Sequence, residues 1–233
     1  MTQQPILPYG IPPTTERTLT RRDVEALIAQ GVTALVDCDL QEQDLSGLNL
    51  SQWTFDACNF RHARLRGARL DRTHWRSCRA GFVDLVGADL SEAEIVSSDF
   101  NNAALRQATL SSATFTGCKL TGADLSDAPA MDAVFAETLM IGAKLPSHSF
   151  RKQTVRKVDF AQADLRKCDF RATTFEDCSL RDANVAGARF EQADLRGCDL
   201  GGVKLNDARL FRGATISREQ AGQLLLELGL KVA

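Results

Sequence analysis

The stretch GADLSEAEIVSSDFNNAALRQATLSSATFTGCKLTGADL, residues 87–125, places a large apolar residue at every fifth position: Leu90, Ile95, Phe100, Leu105, Leu110, Phe115, Leu120 and Leu125. Two residues before such positions the side chain is usually small, as at Ala88, Ala93, Cys118 and Ala123. A period of five matches neither the 3.6 of a helix nor the 2 of a strand. It matches a chain that turns a corner every five residues and sends one large and one small side chain inward on each side. The remaining residues, rich in Asp, Asn, Arg, Ser and Gly, face water or form the corners.

Working outward, the series reaches back to Leu35 and forward to Leu205 and Leu210, and only Ala80 and Ala130 break it. The phase does not slip, so no inserted loop is expected. Read in twenties, one column is almost pure leucine, running Leu45, Leu65, Leu85, Leu105, Leu125, Leu145, Leu165, Val185 and Leu205. Another collects Phe55, Trp75, Phe115, Phe135 and Phe175, and a column of small positions holds Cys38, Cys58, Cys78, Cys118, Cys178 and Cys198. Columns of like residues at a spacing of twenty predict four sides per coil, stacked in register. About nine coils at about 4.8 Å each give a rod of roughly 43 Å.

The open ends of such an array need caps. Thr20 and Asp23 form an N-terminal capping box ahead of Val24, Leu27 and Ile28, and Gly31 stops that helix. Ser217 and Gln220 start a second helix, with Ala221, Leu224, Leu225 and Leu228 as its capping stripe and Gly229 at its end. The expected organisation is an irregular arm over 1–18, a capping helix over 19–31, the solenoid over 32–214, and a capping and dimerisation helix with its tail over 215–233. Local distortion is expected near Pro129–Met131 and Pro146–Val155, where His148 and Gln153 occupy small inward positions.

Composition narrows the function. Twenty-eight Lys and Arg stand against 30 Asp and Glu, a net charge of −2, so no global field steers the chain to nucleic acid or an anionic membrane. No apolar run approaches the ~20 residues of a membrane span, and the N-terminus lacks the pattern of a secretory signal, so a cytoplasmic location is expected. A ladder of thiols pointing the same way into a dry core cannot surround a zinc ion, and the seven cysteines are expected to be free core residues. His62 and His74 face outward with no nucleophile or carboxylate at triad-like spacing, and no phosphate-cradling loop is present. The reading is of a protein without catalytic, metal or cofactor sites.

Charge is patterned along the chain. Arg61, Arg64, Arg66, Arg69, Arg72, Arg76 and Arg79 face a single acid, Asp71, making a candidate basic band. Downstream, Asp84, Asp89, Glu94, Asp99 and Asp124 make a candidate acidic face for a protein partner. Direct binding of nucleic acid is not expected, because the aromatic residues are read as buried rather than displayed for stacking. On the second helix Leu226 points away from the capping stripe, and Leu230 and Val232 follow, so these three are the expected interface of a homodimer.

The A-[DN]-[LF]-x-x pattern over roughly residues 33–212, with GADLS and QADLR standing in it, resembles the pentapeptide-repeat family. The resemblance implies an all-β fold, a right-handed quadrilateral β-helix with four pentapeptides per coil, closed by N- and C-terminal helices. The segment QAGQLLLELGLKVA, residues 220–233, resembles the dimerisation helix of quinolone-resistance members, which are rod-shaped dimers that bind DNA gyrase or topoisomerase IV. That likeness implies a non-catalytic scaffold that protects a topoisomerase. The segment RTLTRRDVEALIAQG, residues 17–31, is similar to members encoded beside type VI secretion genes and implies, alternatively, an adaptor of a secretion system.

Overall fold

A computed structural model describes residues 12–203, 208–227 and 229–231. Nine short parallel strands stack one per coil: β1 (Thr14–Thr15), β2 (Ala34–Val36), β3 (Thr54–Asp56), β4 (His74–Arg76), β5 (Glu94–Val96), β6 (Thr114–Thr116), β7 (Val134–Ala136), β8 (Thr154–Arg156) and β9 (Thr174–Glu176). From β2 onward each strand pairs with the residue twenty further on, as Phe55 with Trp75 and Ile95 with Phe115. The other three sides carry single parallel bridges at the same interval, among them Asp44 with Arg64, Asn49 with Arg69 and Asp39 with Asn59. A two-stranded pair, β10 (Cys178–Ser179) and β11 (Cys198–Asp199), continues one of those sides. The fold is a β-solenoid of about nine turns.

The five-residue rule follows from burial. Leu45, Leu65, Leu85, Leu105, Leu125, Leu145 and Leu165 are buried in one column, with Ala63, Ala103, Ala123 and Ala163 beside them. Each large side chain so covered is worth about 1.5–3 kcal/mol. Aromatic rings stack on neighbours along the axis, as Phe150 on Phe170 at 5.1 Å and Phe170 on Phe190 at 4.9 Å. Most corners take the left-handed conformation whichever residue occupies them, with φ of 60° at Glu42, 55° at Asn102 and 69° at Gly122. Small polar residues and glycine suit that conformation, which explains the corner composition.

Both ends depart from the expected count. Residues of the arm assigned to 1–18 join the ladder: Thr14 pairs with Leu35 and Thr18 with Asp39, a spacing of twenty-one. Residues 1–11 lie outside the described residues. Helix α1 (Arg21–Ala29) then takes the place of the remaining sides of that first coil. Its capping box is formed by Thr20 and Asp23, Val24 and Leu27 are buried, and Arg21 Nη1 donates to the carbonyls of Asp44 and Ser46 at 2.9 and 3.1 Å. Gly31, at φ 74°, ends the turn.

The phase does slip in the last coil. Phe190 N–H donates to the Leu210 carbonyl and Asp194 bridges Thr215, one residue more than elsewhere. As a result Phe211, not Leu210, stacks over Phe190 at 4.8 Å. Leu205 lies outside the described residues. Helix α2 (Arg218–Glu227) follows, its start fixed by Ser217 and Gln220, which bond each other's backbone amides. Gln220 Nε2 also donates to the Leu195 and Cys198 carbonyls at 2.7 and 2.5 Å, pinning the helix to the last coil.

Candidate protein-binding surfaces

The cysteine column is a column of small hydrogen-bond donors. Cys78, Cys118 and Cys178 Sγ each donate to the carbonyl twenty-three residues back, on Phe55, Ile95 and Val155, all at 3.3 Å. Thr138 Oγ1 does the same to Phe115, at 3.2 Å, and Ser98 bonds the Val96 carbonyl. All seven thiols are free and buried. Burial pushes the Cys118 thiol up to about 11 and the Cys78 and Cys168 thiols to about 12, so none of these three is a thiolate nucleophile at neutral pH. Among the described residues no group of His, Cys, Asp and Glu is placed to hold a metal ion. No described helix is long and apolar enough to cross a membrane.

The proposed acidic face is not a face. Asp84, Asp89, Glu94 and Asp99 occupy the outward position on each of the four sides of one coil, and Asp124 lies two coils beyond Asp84. A count in fives finds outward positions, but the side is set only by the count in twenties. The basic band is likewise a ring, and it stacks in register on the acidic one: Arg64 on Asp84, Arg69 on Asp89, His74 on Glu94, Arg79 on Asp99.

Most of this charge is spent locally. Arg64 pairs with Asp44 at 3.2 Å and Arg66 with Asp84 at 3.0 Å. Arg69 and Arg72 both reach Asp71, at 3.7 and 3.1 Å, and Arg76 pairs with Asp56. The Ser51 hydroxyl and then Arg72 hold the Asp71 carboxyl below its ordinary range. Exposed pairs of this kind contribute about 0–1 kcal/mol each. Of the seven arginines only Arg61 and Arg79 form no ion pair among the described residues. Near them Phe82 is 52% exposed and stacks on His62 at 5.0 Å, so one aromatic residue is displayed after all.

At the C-terminal end Leu224 is buried, but Leu225 is 38% exposed and does not belong to the covered stripe. Leu226 and Leu230 are 60% and 53% exposed. Leu228 and Val232 lie outside the described residues. The helix thus closes the solenoid through Gln220 and Leu224 and presents leucines on its open side.

The expected distortion is a fault in the ladder between two coils. Elsewhere the amide at each of these places donates to the neighbouring coil, as Leu110 to Pro129 and Asp169 to His148. The corresponding bonds of Asp127, Ala130, Asp132, Ser149 and Thr154 are missing, and β7 and β8 keep only the pair Ala136–Arg156. Ala130 stands where other coils place a large inward residue, and the oversized His148 and Gln153 fill inward places held elsewhere by Ala108 and Thr173. A groove of about 350 Å³ opens there, lined by Ala128–Asp132, Ser147–Ser149, Arg151 and Gln153.

The model of pentapeptide repeats matches in eight copies, over residues 35–72, 76–111, 84–127, 110–145, 149–182 and 174–210. No curated protein shows significant similarity to the chain. Among solved structures, a trypsin-treated form of QnrB1, a plasmid-mediated fluoroquinolone resistance protein, is similar with a TM-score of 0.68 at 19% identity, covering 94% of this chain and 100% of that one. Full-length QnrB1 is similar with a TM-score of 0.57 at 20% identity, covering 80% of this chain and 97% of that one. At such identities the likeness is one of fold. With repeat matches running from residue 35 to residue 210, the chain belongs to the pentapeptide-repeat family.

Proposed function

We propose that this protein is a dimeric, non-catalytic binding scaffold whose target is a type II DNA topoisomerase. The observation that carries the reading is the C-terminal end: α2 is locked to the last coil by Gln220 and leaves Leu225, Leu226 and Leu230 exposed beyond it. Exposed leucines on a capping helix call for a second surface, and a two-fold copy supplies one that is self-complementary. The fold likeness to QnrB1, named for fluoroquinolone resistance, supports the choice of target, since that drug class acts on these enzymes. The alternative, a secretion adaptor, rests on residues 17–31, and those residues fold as the N-terminal cap.

The test is a gyrase supercoiling assay with a fluoroquinolone, titrated with the wild type and with Leu226→Arg. The wild type should restore supercoiling in the presence of the drug and scatter light as a dimer. Leu226→Arg should be a folded monomer with reduced protection. A wild type without effect at any ratio to the enzyme removes the topoisomerase from the reading, and a monomer mass at tens of micromolar removes the dimer.

A further inference from the structure

We propose that the fault between residues 127–134 and 146–154 is a docking groove for an extended peptide segment of a partner protein. Three observations converge on it. The two lips carry backbone groups freed from the ladder: the amides of Ala130, Asp132, Ser149 and Thr154, and the carbonyls of Ala128, Ser149 and Arg151 that their regular counterparts would occupy. An extended chain is the ligand whose own alternating N–H and C=O groups match such an edge. Apolar side chains stand beside the groove, with Met131 72% exposed and Val134 44% exposed, and Phe135 lines an adjoining recess of about 290 Å³ with Gln153. His148 lines the main groove, and its Nε2 is buried with no hydrogen-bond partner, a group that a ligand's polar atom would satisfy.

The charges of the groove select among occupants. One lip carries Asp127 and Asp132 and the other Arg151 and Lys152, while Arg156 and Lys157 beyond are paired with Glu176 and Glu137, so the site is of mixed charge and offers no continuous track for a polyanion. A neutral or mixed-charge peptide with an apolar anchor fits both lips. The structural return is partial: Gln153 Nε2 donates to the Ala133 carbonyl at 3.3 Å and the His148 ring packs on Phe150 at 5.0 Å, but the amides and carbonyls of the lips named above stay unpaired. Features that weaken a fold locally without strengthening it as much elsewhere are where binding is to be sought.

The experiment uses the full chain and a phage-displayed library of random linear decapeptides, with a triple variant Ala130→Leu, His148→Ala and Gln153→Thr as the counter-target. The triple variant carries the residues of the regular coils and should melt no lower than the wild type. Selected sequences, remade as synthetic peptides, should bind the wild type at least tenfold more tightly than the triple variant or Met131→Asp. In amide spectra their addition should move and protect Ala130, Asp132, Ser149 and Thr154. A selection that yields no peptide with that preference, or peptides that leave those amides unmoved, overturns the proposal. A wild-type oligomer that the triple variant loses would assign the groove to a second copy of the chain, and overturns it too.

Discussion

Residues 87–125 and residues 127–154 keep the same spacing of five, broken only at Ala130, yet in the first every coil is laced to the next and in the second the lacing is open. Phe100, Leu105, Leu110 and Phe115 are buried in the regular stretch, and Phe135, Met140, Leu145 and Phe150 are equally buried around the fault. Burial of the large inward residue therefore does not depend on the ladder. The fault combines a missing large inward residue, at Ala130, with oversized small places, at His148 and Gln153; size at the small place is not enough by itself, since the ladder is intact on both sides of Trp53. Burial and lacing are separable, and a solenoid tolerates failure of the second because each coil contacts only its neighbours.

The largest expected effect separates the inward position from the lip. Leu105→Asp puts an unpaired charge in a dry column and should cost more than ~4 kcal/mol, enough to abolish folding or split the rod at that coil. Met131→Asp, on the rim of the fault, should change stability by about 0.5 kcal/mol or less. Thermal melts that rank the two alike would erase the distinction between core and rim.

These effects also mark what could be read from residues alone. A fully buried position every five residues leaves a direct trace in the sequence, and the capping boxes at Thr20–Asp23 and Ser217–Gln220 do likewise, because each is a local contact. The shared ring of Asp84, Asp89, Glu94 and Asp99 was harder to see, since a side is fixed only by stacking at a spacing of twenty. Leu210 satisfied the count while Phe211 took the stacking place, because an added residue in the last coil changes register without changing composition. Trp53 is buried in a column of mostly small residues, its ring packed near Phe55 at 6.0 Å, and no periodic rule anticipates such a large member.

An intermediate effect concerns pH. Burial holds the His148 imidazole down, at about 4 against an ordinary 6.5, because the charged form is desolvated. The unfolded chain therefore takes up the proton first. The stability tied to neutral His148 is complete above about pH 6.5 and is lost as pH falls toward and through 4, in total roughly 3 kcal/mol. Carboxylates such as Asp71 and Asp164, held below 3.8 chiefly by the Ser51 hydroxyl and by Arg166, act only at lower pH. Denaturant melts at pH 7 and pH 4.5 should thus differ for the wild type and differ less for His148→Ala. Equal losses in the two proteins would mean that His148 is not shut away from water at the fault.

The smallest expected effect probes a feature that the two regions share, the donor column in which Cys118 belongs to the regular stretch and Thr138 to the coil beside the fault. Both give a hydrogen bond to the carbonyl twenty-three residues back, on Ile95 and Phe115. If the column is selected for a small donor rather than for sulfur, Cys118→Ser should stay within about 0.5 kcal/mol of the wild type at pH 7, whereas Cys118→Ala should lose about 1 kcal/mol with its hydrogen bond. Alkali sharpens the contrast. Burial raises the Cys118 thiol to about 11 from 9.0, so its contribution is complete below pH 9 and is lost as pH rises through 11, when the unfolded chain ionises first. Cys118→Ser has nothing to ionise there and should lose less stability between pH 8 and pH 10.5 than the wild type. A serine variant as weak as the alanine variant at pH 7 would show that the column holds cysteine for its bulk, and that Thr138 and Cys118 are alike in size rather than in bonding.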